Sequence, residues 1–234
     1  MKIINNVLIS ITEDDLIQGE FTNNIIIEVA DKCFYDMKSL KKVNLPNVKK
    51  IGDDCFRYNQ ALTAVSLPAL TTAVSDCFRS NQALTSVRIG KKKLVTKDVD
   101  GYCFVIEAEK TSKGIKIYTG YNFVSLDKKV ISKKECFVAE SGEFTAHGET
   151  VKQAISDLNF KVVSERLKKE PILPDTLVTV AHYRAITGAC EFGVKDWMSR
   201  NGIVDEAMRA DKLLPMLQAT NAYGVDRFKE LVKW

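Results

Sequence analysis

The sequence is poor in the residue types and segments that mark several protein classes. Its 234 residues include only 12 glycines and 5 prolines, which excludes collagen-like and low-complexity disordered chains. Six cysteines are too few for a disulfide scaffold in a chain of this length. The most apolar early stretch, around residues 25–27, is far shorter than the roughly 18 residues of a membrane span. Because the N-terminus lacks a basic start followed by an apolar segment, we expect a cytoplasmic protein with reduced thiols and no membrane contact.

Neither sign of charge dominates any part of the chain. The net charge is +4, and residues 1–100 carry 14 lysines and arginines against 12 acidic residues. Nucleic-acid binders usually carry one dominant basic face, commonly with a pI above about 9. The lysine clusters at 91–93, 128–129 and 133–134 therefore predict at most a weak, salt-sensitive contact with nucleic acid.

The cysteines mark an internal repeat. Five of the six are followed directly by phenylalanine, and Cys33, Cys55 and Cys77 are each 22 residues apart. Aliphatic positions keep the same spacing: Leu40, Leu62 and Leu84; Val43, Val65 and Val87; Leu45, Leu67 and Ile89. In each unit an alternating segment such as 62–67 predicts a short strand, and 53–57 predicts one turn of helix or 3₁₀-helix. One such unit cannot bury its apolar face alone, so the units are expected to stack into a solenoid.

These motifs resemble the BspA-type leucine-rich repeat. In that repeat a strand of the form L-x-x-I-x-L-P precedes I-G-x-x-A-F, and residues 51–56 (IGDDCF) match it with cysteine in the alanine position. The resemblance covers about residues 20–94 and implies a solenoid, with residues 6–21 as an irregular entry cap. Many members of the family are secreted surface proteins, whereas this sequence shows no export signal.

The second half follows a different pattern. From residue 91 the period fails, and residues 102–147 predict three or four antiparallel strands joined by short turns. Helical periodicity begins near Thr150 and returns at 194–200, 206–219 and 225–232. The sequence thus predicts an α+β protein, with a leucine-rich-repeat solenoid and N-terminal cap at 1–94. A second domain at 95–234, with strands at about 102–147 and helices at about 150–233, is expected to cover the open end of the solenoid.

Two segments of the second half resemble a further group of proteins. Residues 145–161 and 182–197 are similar to the C-terminal region of uncharacterised repeat proteins carried by phages and prophages. The resemblance implies a phage origin and a place in the host-cell cytoplasm. By analogy it favours a narrower hypothesis, inhibition of a bacterial defence system, and it supplies no catalytic residues.

The predicted strands offer a binding surface on their outward side. Polar and small residues alternate there with the inward valines and leucines: Lys42, Asn44, Ala64, Ser66, Ser86 and Arg88. Repeat sheets provide extended surfaces for macromolecules. We therefore interpret the protein as a non-enzymatic binding protein whose partner is another protein.

Two alternatives stay open. A thiol enzyme would use Cys190, the one cysteine outside a Cys–Phe pair, with His147 as its base. A nucleotide or nucleic-acid binder would use His182, Tyr183 and Arg184, because arginine binds phosphate with its planar fork and tyrosine stacks on bases.

Metal chemistry is not indicated by the spacing of the cysteines. No two of them are closer than 22 residues, whereas zinc sites normally need a C-x₂₋₄-C pair. We expect Cys33, Cys55 and Cys77 to be buried as small apolar side chains, and we predict no metal and no cofactor.

Overall fold

A computed structural model describes residues 1–74, 76–128 and 130–233. The chain forms two compact units, which we call the repeat unit (Met1–Ser141 with Thr145–Val151) and the helical unit (Gly142–Phe144 with Lys152–Trp234). The boundary expected between residues 94 and 95 falls inside a strand, Lys92–Val99. The solenoid sheet continues through this strand, so the first unit reaches much further along the chain than expected.

Each solenoid turn of the repeat unit contributes one strand to each of two parallel ladders. The strands are β1 (Lys2–Ile4), β2 (Val7–Ser10), β3 (Glu20–Thr22), β4 (Glu28–Val29), β5 (Lys42–Asn44), β6 (Lys50–Ile51), β7 (Ala64–Leu67), β8 (Thr72–Ala73) and β9 (Ser86–Ile89). One ladder runs β3-β5-β7-β9 and the other runs β2-β4-β6-β8. Val43 lies beside Val65, and Val65 beside Val87, which is the 22-residue period of the sequence. The predicted strand is confirmed, and the second ladder is additional to it.

The segment after β6 is a non-helical turn, whereas the sequence predicted one turn of helix there. Residues 53–58 form hydrogen-bonded turns in which Asp54 and Tyr58 have φ angles of 49° and 66°. These left-handed residues break the helical path. Backbone N–H groups of this segment bind carbonyls of the next repeat instead. The Phe56 N–H, for example, donates to the Cys77 carbonyl at 2.9 Å.

A ladder of phenylalanine rings fills the centre of the repeat unit. The ring centroids of Phe34 and Phe56 are 5.0 Å apart, and those of Phe56 and Phe78 are 5.7 Å apart. Phe21 closes one end of the stack edge-on and Phe123 the other, each at 5.4 Å. The same interior holds the buried leucines and valines of all repeats, so one continuous core runs along the solenoid.

Antiparallel strands close the end of the solenoid. They are β10 (Lys92–Val99), β11 (Tyr102–Ser112), β12 (Ile115–Asp127), β13 (Val130–Ser141) and β14 (Phe144–Gly148). β10 pairs with β9, and β12 pairs with β8 through Leu126 and Ala73, so the strands join the two ladders. Leu94, Val105 and Phe123 of this sheet belong to the solenoid core. The α+β fold is confirmed, and strands of the repeat unit itself cover the solenoid end.

The helical unit is built around five helices in the described residues. Its elements are α1 (Val151–Leu167), β15 (Leu177–Val178), α2 (Val180–Thr187), α3 (Glu191–Arg200), β16 (Met208–Arg209), α4 (Ala210–Ala219) and α5 (Val225–Leu231). β15 and β16 form an antiparallel pair, and Pro215 lies within α4 without splitting it. Its core packs Tyr183, Leu217 and Phe228. None of the described helices combines the length and apolar character needed to cross a membrane.

Candidate functional site

The outward side of the β3-β5-β7-β9 ladder forms one polar surface, which we call the polar sheet face. It contains all six residues predicted from the repeat: Lys42, Asn44, Ala64, Ser66, Ser86 and Arg88. They line a shallow depression of about 350 Å³ together with neighbours such as Glu20, Thr22 and Lys93. The structure therefore brings the predicted binding residues together on one surface.

Strand register orders the polar sheet face in two rows. Lys42, Ala64 and Ser86 lie side by side in one row, because consecutive repeats pair in parallel. Asn44, Ser66 and Arg88 form the second row in the same way. The residues between the rows point inward, and Val43, Val65 and Val87 are buried. The backbone thus fixes the spacing of every outward side chain on this face.

Charge on the polar sheet face is concentrated at one edge. Glu20 and Lys42 neutralise each other in an exposed ion pair of 2.8 Å. Arg88 and Lys93 are cross-strand neighbours on β9 and β10. Both are exposed, and neither has an acidic partner within ion-pair distance among the residues described. This edge therefore carries two uncompensated positive charges beside rows of hydroxyl and amide groups.

Buried asparagines, which were not among the residues predicted from the sequence, hold the turns beneath the sheets. The Asn59 amide donates to the carbonyls of Phe34 and Phe56, both at 2.7 Å, and its oxygen accepts from the Met37 N–H at 2.8 Å. Asn81 repeats part of this pattern one turn later and accepts from the Asn59 N–H at 2.8 Å. Asn59 and Asn81 occupy the same position in consecutive repeats, 22 residues apart, and this spacing was the sequence signal that could have identified them. Because each turn is tied to the next, the polar sheet face is preorganised.

The cysteines of the repeats lie in the core. Burial raises the pKa of Cys33 and of Cys103 to about 12 and also raises the pKa of Cys55 and of Cys77. Cys103 shares the solenoid core, although it follows Cys77 by 26 residues and so falls outside the 22-residue period. A buried neutral thiol is a poor nucleophile and a poor metal ligand.

Within residues 1–74, 76–128 and 130–233, no group of three or more His, Cys, Asp or Glu side chains is placed to hold a metal ion.

A family model for the BspA-type leucine-rich repeat region matches residues 14–131 in six copies. The chain belongs to the BspA-type leucine-rich repeat family. The match extends beyond the predicted range of about 20–94 at both ends and takes in β10, β11 and β12. No curated protein and no solved structure matches the chain. Leucine-rich repeats commonly mediate protein binding, which directs attention to the polar sheet face.

Of the basic clusters noted in the sequence, 91–93 contributes Lys93 to the polar sheet face, whereas the lysines of 133–134 pair with nearby acids. Lys133 lies 3.4 Å from Glu135 and 3.8 Å from Glu107, and Lys134 lies 3.9 Å from Glu149. Lys129 lies outside the described residues. These nearby acids compensate the charges of Lys133 and Lys134. The cluster at 133–134 therefore gives little support to nucleic-acid binding.

Cys190 differs from the cysteines of the BspA-type repeats because its thiol is exposed. It is the N-cap of α3, where Sγ accepts a hydrogen bond from the Gly193 N–H at 3.3 Å. In the described part of the helical unit no hydrogen bond joins it to His182. His147, the predicted base, lies in the repeat unit with its Nδ1 2.9 Å from the Asp100 carboxylate. His147 is thus engaged by an acidic partner within its own unit.

His182 and Tyr183 are used inside the helical unit. The Nδ1 atom of His182 lies 2.9 Å from the Thr179 hydroxyl in the N-cap of α2, and burial lowers the pKa of the imidazole. The Tyr183 hydroxyl donates to the Tyr223 carbonyl at 2.5 Å, and burial raises the pKa of Tyr183 to about 12. Both side chains are therefore engaged in contacts within the helical unit, although Tyr183 also lines a cavity of about 440 Å³ there.

Arg184, the third residue of the predicted nucleotide site, is also engaged internally. Its guanidinium lies 3.3 Å from Glu191 and 4.0 Å from Asp157, and it covers the Phe160 ring at 4.8 Å. Burial alone would raise the pKa of Glu191, but hydrogen bonds from Lys195 and Ser156 outweigh it and lower the pKa. The arrangement of residues 182–184 favours a structural role over the predicted ligand binding.

Proposed function

We propose that the protein binds another protein through the polar sheet face, without catalysing a reaction, and that the partner presents acidic and polar groups. The observation that carries the proposal is the convergence of the six predicted residues around one depression, with Arg88 and Lys93 at its edge. Two adjacent cations without acidic partners are best compensated by carboxylates of a partner.

The backbone of the polar sheet face lowers the cost of binding. Ala64, Ser66 and Ser86 are short side chains that lose little conformational freedom when a partner covers them. Their strands are locked by pairing on both sides, so the surface needs little ordering before contact. Serine and asparagine can both donate and accept hydrogen bonds, which suits a polar partner surface.

A narrower form of the proposal concerns the identity of the partner. From the resemblance to phage and prophage proteins noted in the sequence of residues 145–161 and 182–197, we propose a host protein in the bacterial cytoplasm as the partner, and a role against a defence system. This part rests on that similarity alone, as analogy.

The experiment is capture of partners from a nuclease-treated bacterial lysate by the immobilised full chain. The test variant is Arg88→Glu with Lys93→Glu, which reverses the charge at the edge of the polar sheet face. The matched control is Lys49→Glu with Lys50→Glu, which makes the same charge change at exposed positions at and beside β6 in the other ladder. We expect the wild type and the control to retain the same protein, and the test variant to bind it about tenfold more weakly or worse.

Three results would contradict the proposal. The wild type could capture no protein above background, or the test variant could bind the captured protein as well as the wild type does. Capture that occurs in a parallel untreated lysate and is lost in the nuclease-treated one would point to nucleic acid as the partner instead.

A further inference from the structure

The helical unit contains a cavity of about 560 Å³ that neither the repeat resemblance nor the polar sheet face involves. Four cations line it: Lys168, which is paired with Glu165, and Lys169, Arg227 and Lys233. Lys169 lies just after α1, Arg227 on α5 and Lys233 just after α5. Lys169 is 58 residues from Arg227 in sequence, so the fold brings it to the other two. The volume lies within the range of about 300–1,000 Å³ that is typical of small-molecule sites.

The cavity has an excess of positive charge. None of Lys169, Arg227 and Lys233 has an acidic partner within ion-pair distance among the residues described. The acid that lines the cavity, Glu170, is held by Arg166 at 2.6 Å and is therefore already neutralised. An anion inside the cavity would thus meet three uncompensated cations.

The rest of the lining is aliphatic with one hydroxyl group. Leu167, Ile172 and Ile186 form the apolar part, and Ser164 contributes the hydroxyl. The Lys233 N–H donates to the Ile172 carbonyl at 2.9 Å, which fixes the backbone of Lys233 at the cavity wall. A ligand that fits this lining combines an anionic group with a less polar body.

We propose that this cavity binds a nucleotide, with its phosphate held by Arg227, Lys169 and Lys233 and its base against the aliphatic wall. A phosphate monoester carries about −1.5 to −2 charges at neutral pH and has oxygens that match the arginine fork. The two lysines supply mobile point charges for the remaining oxygens. The phosphate chemistry that the sequence suggested for residues 182–184 is thus met by a different set of residues, and Ala185 and Ile186 line the cavity.

Calorimetric titration of the full chain with AMP at low salt tests this assignment. We expect saturable binding, and about tenfold to hundredfold weaker binding for Arg227→Gln and for Lys233→Gln, since each removes a charged hydrogen bond. Lys212→Gln is the matched control, because Lys212 is exposed on α4 and does not line the cavity. Adenosine and inorganic phosphate are each expected to bind at least about tenfold more weakly than AMP, since each keeps half of the contacts.

Several outcomes would overturn the proposal. AMP, ADP and ATP could all fail to bind at millimolar concentration to the folded wild type. Binding could weaken equally in Lys212→Gln and in Arg227→Gln, which would indicate general charge screening. Equal binding of inorganic phosphate and AMP would show that the aliphatic wall takes no part. All the substituted side chains are exposed, and a thermal unfolding curve for each variant separates loss of binding from loss of fold.

Discussion

The two units build their cores in opposite ways. The repeat unit uses one contact many times, since Phe34, Phe56 and Phe78 stack in register every 22 residues. The helical unit uses different contacts at each place, such as the single tilted ring pair of Tyr183 and Phe228 at 5.9 Å. A repeated contact leaves a period in the sequence, whereas a set of single contacts leaves none. The difference explains why the first core could be read from the sequence and the second could not.

The units also differ in how they use polar groups and thiols. The repeat unit buries Asn59 and satisfies it with backbone groups of neighbouring turns, whereas the helical unit buries His182 against one threonine. Five cysteines are buried in the repeat unit, and Cys190 of the helical unit is exposed. These contrasts can be tested one at a time.

The largest expected effect concerns the thiols. Native protein treated with iodoacetamide at neutral pH should be modified at Cys190. The modification rate of the other five cysteines should be lower by a factor of about a thousand or more. Those five lie in the core, and they react only when the unit opens at a cost of several kcal/mol. Peptide mass spectrometry with time gives the rates.

Cys190→Ser is the control for thiol labelling. It should leave the native protein almost unmodified, and unfolding in urea should then expose the five remaining thiols. Fast labelling of Cys55 or Cys77 in the native protein would mean that the repeats are not closed, and would remove the contrast between the units.

The next effect tests the asparagine ladder of the repeat unit. Asn59→Leu should lower the free energy of unfolding by about 3 kcal/mol, because buried backbone groups of Phe34, Phe56 and Met37 would lose their partner. Urea unfolding followed by far-ultraviolet circular dichroism gives the free energy. Hydrogen exchange at the Met37 amide should accelerate in the variant.

Gln82→Leu is the matched control for the asparagine ladder. It makes a similar change at an exposed position one residue after Asn81 and should change the stability by less than about 0.5 kcal/mol. An equal loss in both variants would show that the buried hydrogen bonds are not the cause.

Sequence patterns predicted the parts of the fold that repeat. The 22-residue period gave the parallel strands, the buried cysteines and the outward residues of the polar sheet face, because side chains alternate along a strand. The second ladder was missed because strands such as β6 have two residues, too few to show alternation. The turn at 53–58 was misassigned, since nothing in the pattern showed that Asp54 and Tyr58 would be left-handed.

The parts that depend on tertiary contacts could not be predicted. β12 joins the end of one ladder because Leu126 pairs with Ala73 of β8. These two residues are 53 positions apart in sequence. The cationic cavity collects residues from Ser164 to Lys233, and no local spacing links them. The internal contacts of His182, Tyr183 and Arg184 within the helical unit were likewise not visible in the sequence, and their predicted ligand role stays a prediction.

The smallest expected effect is a pH dependence of the helical unit. Burial, with the nearby charge of Arg166 adding to it, lowers the pKa of His182 below its usual value of 6.5 in the folded chain. As the pH falls below about 6.5 the unfolded chain binds a proton that the folded chain does not, so stability should fall there and be constant above it. Urea unfolding followed by tryptophan fluorescence measures this unit, because Trp197 lies in α3 and the repeat unit contains no tryptophan.

His182→Gln should abolish this slope between about pH 5.5 and 7.5, while glutamine at this N3 position can still complete the capping box with Thr179. His147→Gln, at an exposed histidine of the repeat unit, should keep the slope of the wild type. A slope that persists in His182→Gln would mean that another group of the helical unit titrates in this range. Stability that rises as the pH falls would contradict the burial of a neutral imidazole, and His182 would then be available for the ligand role that the sequence suggested.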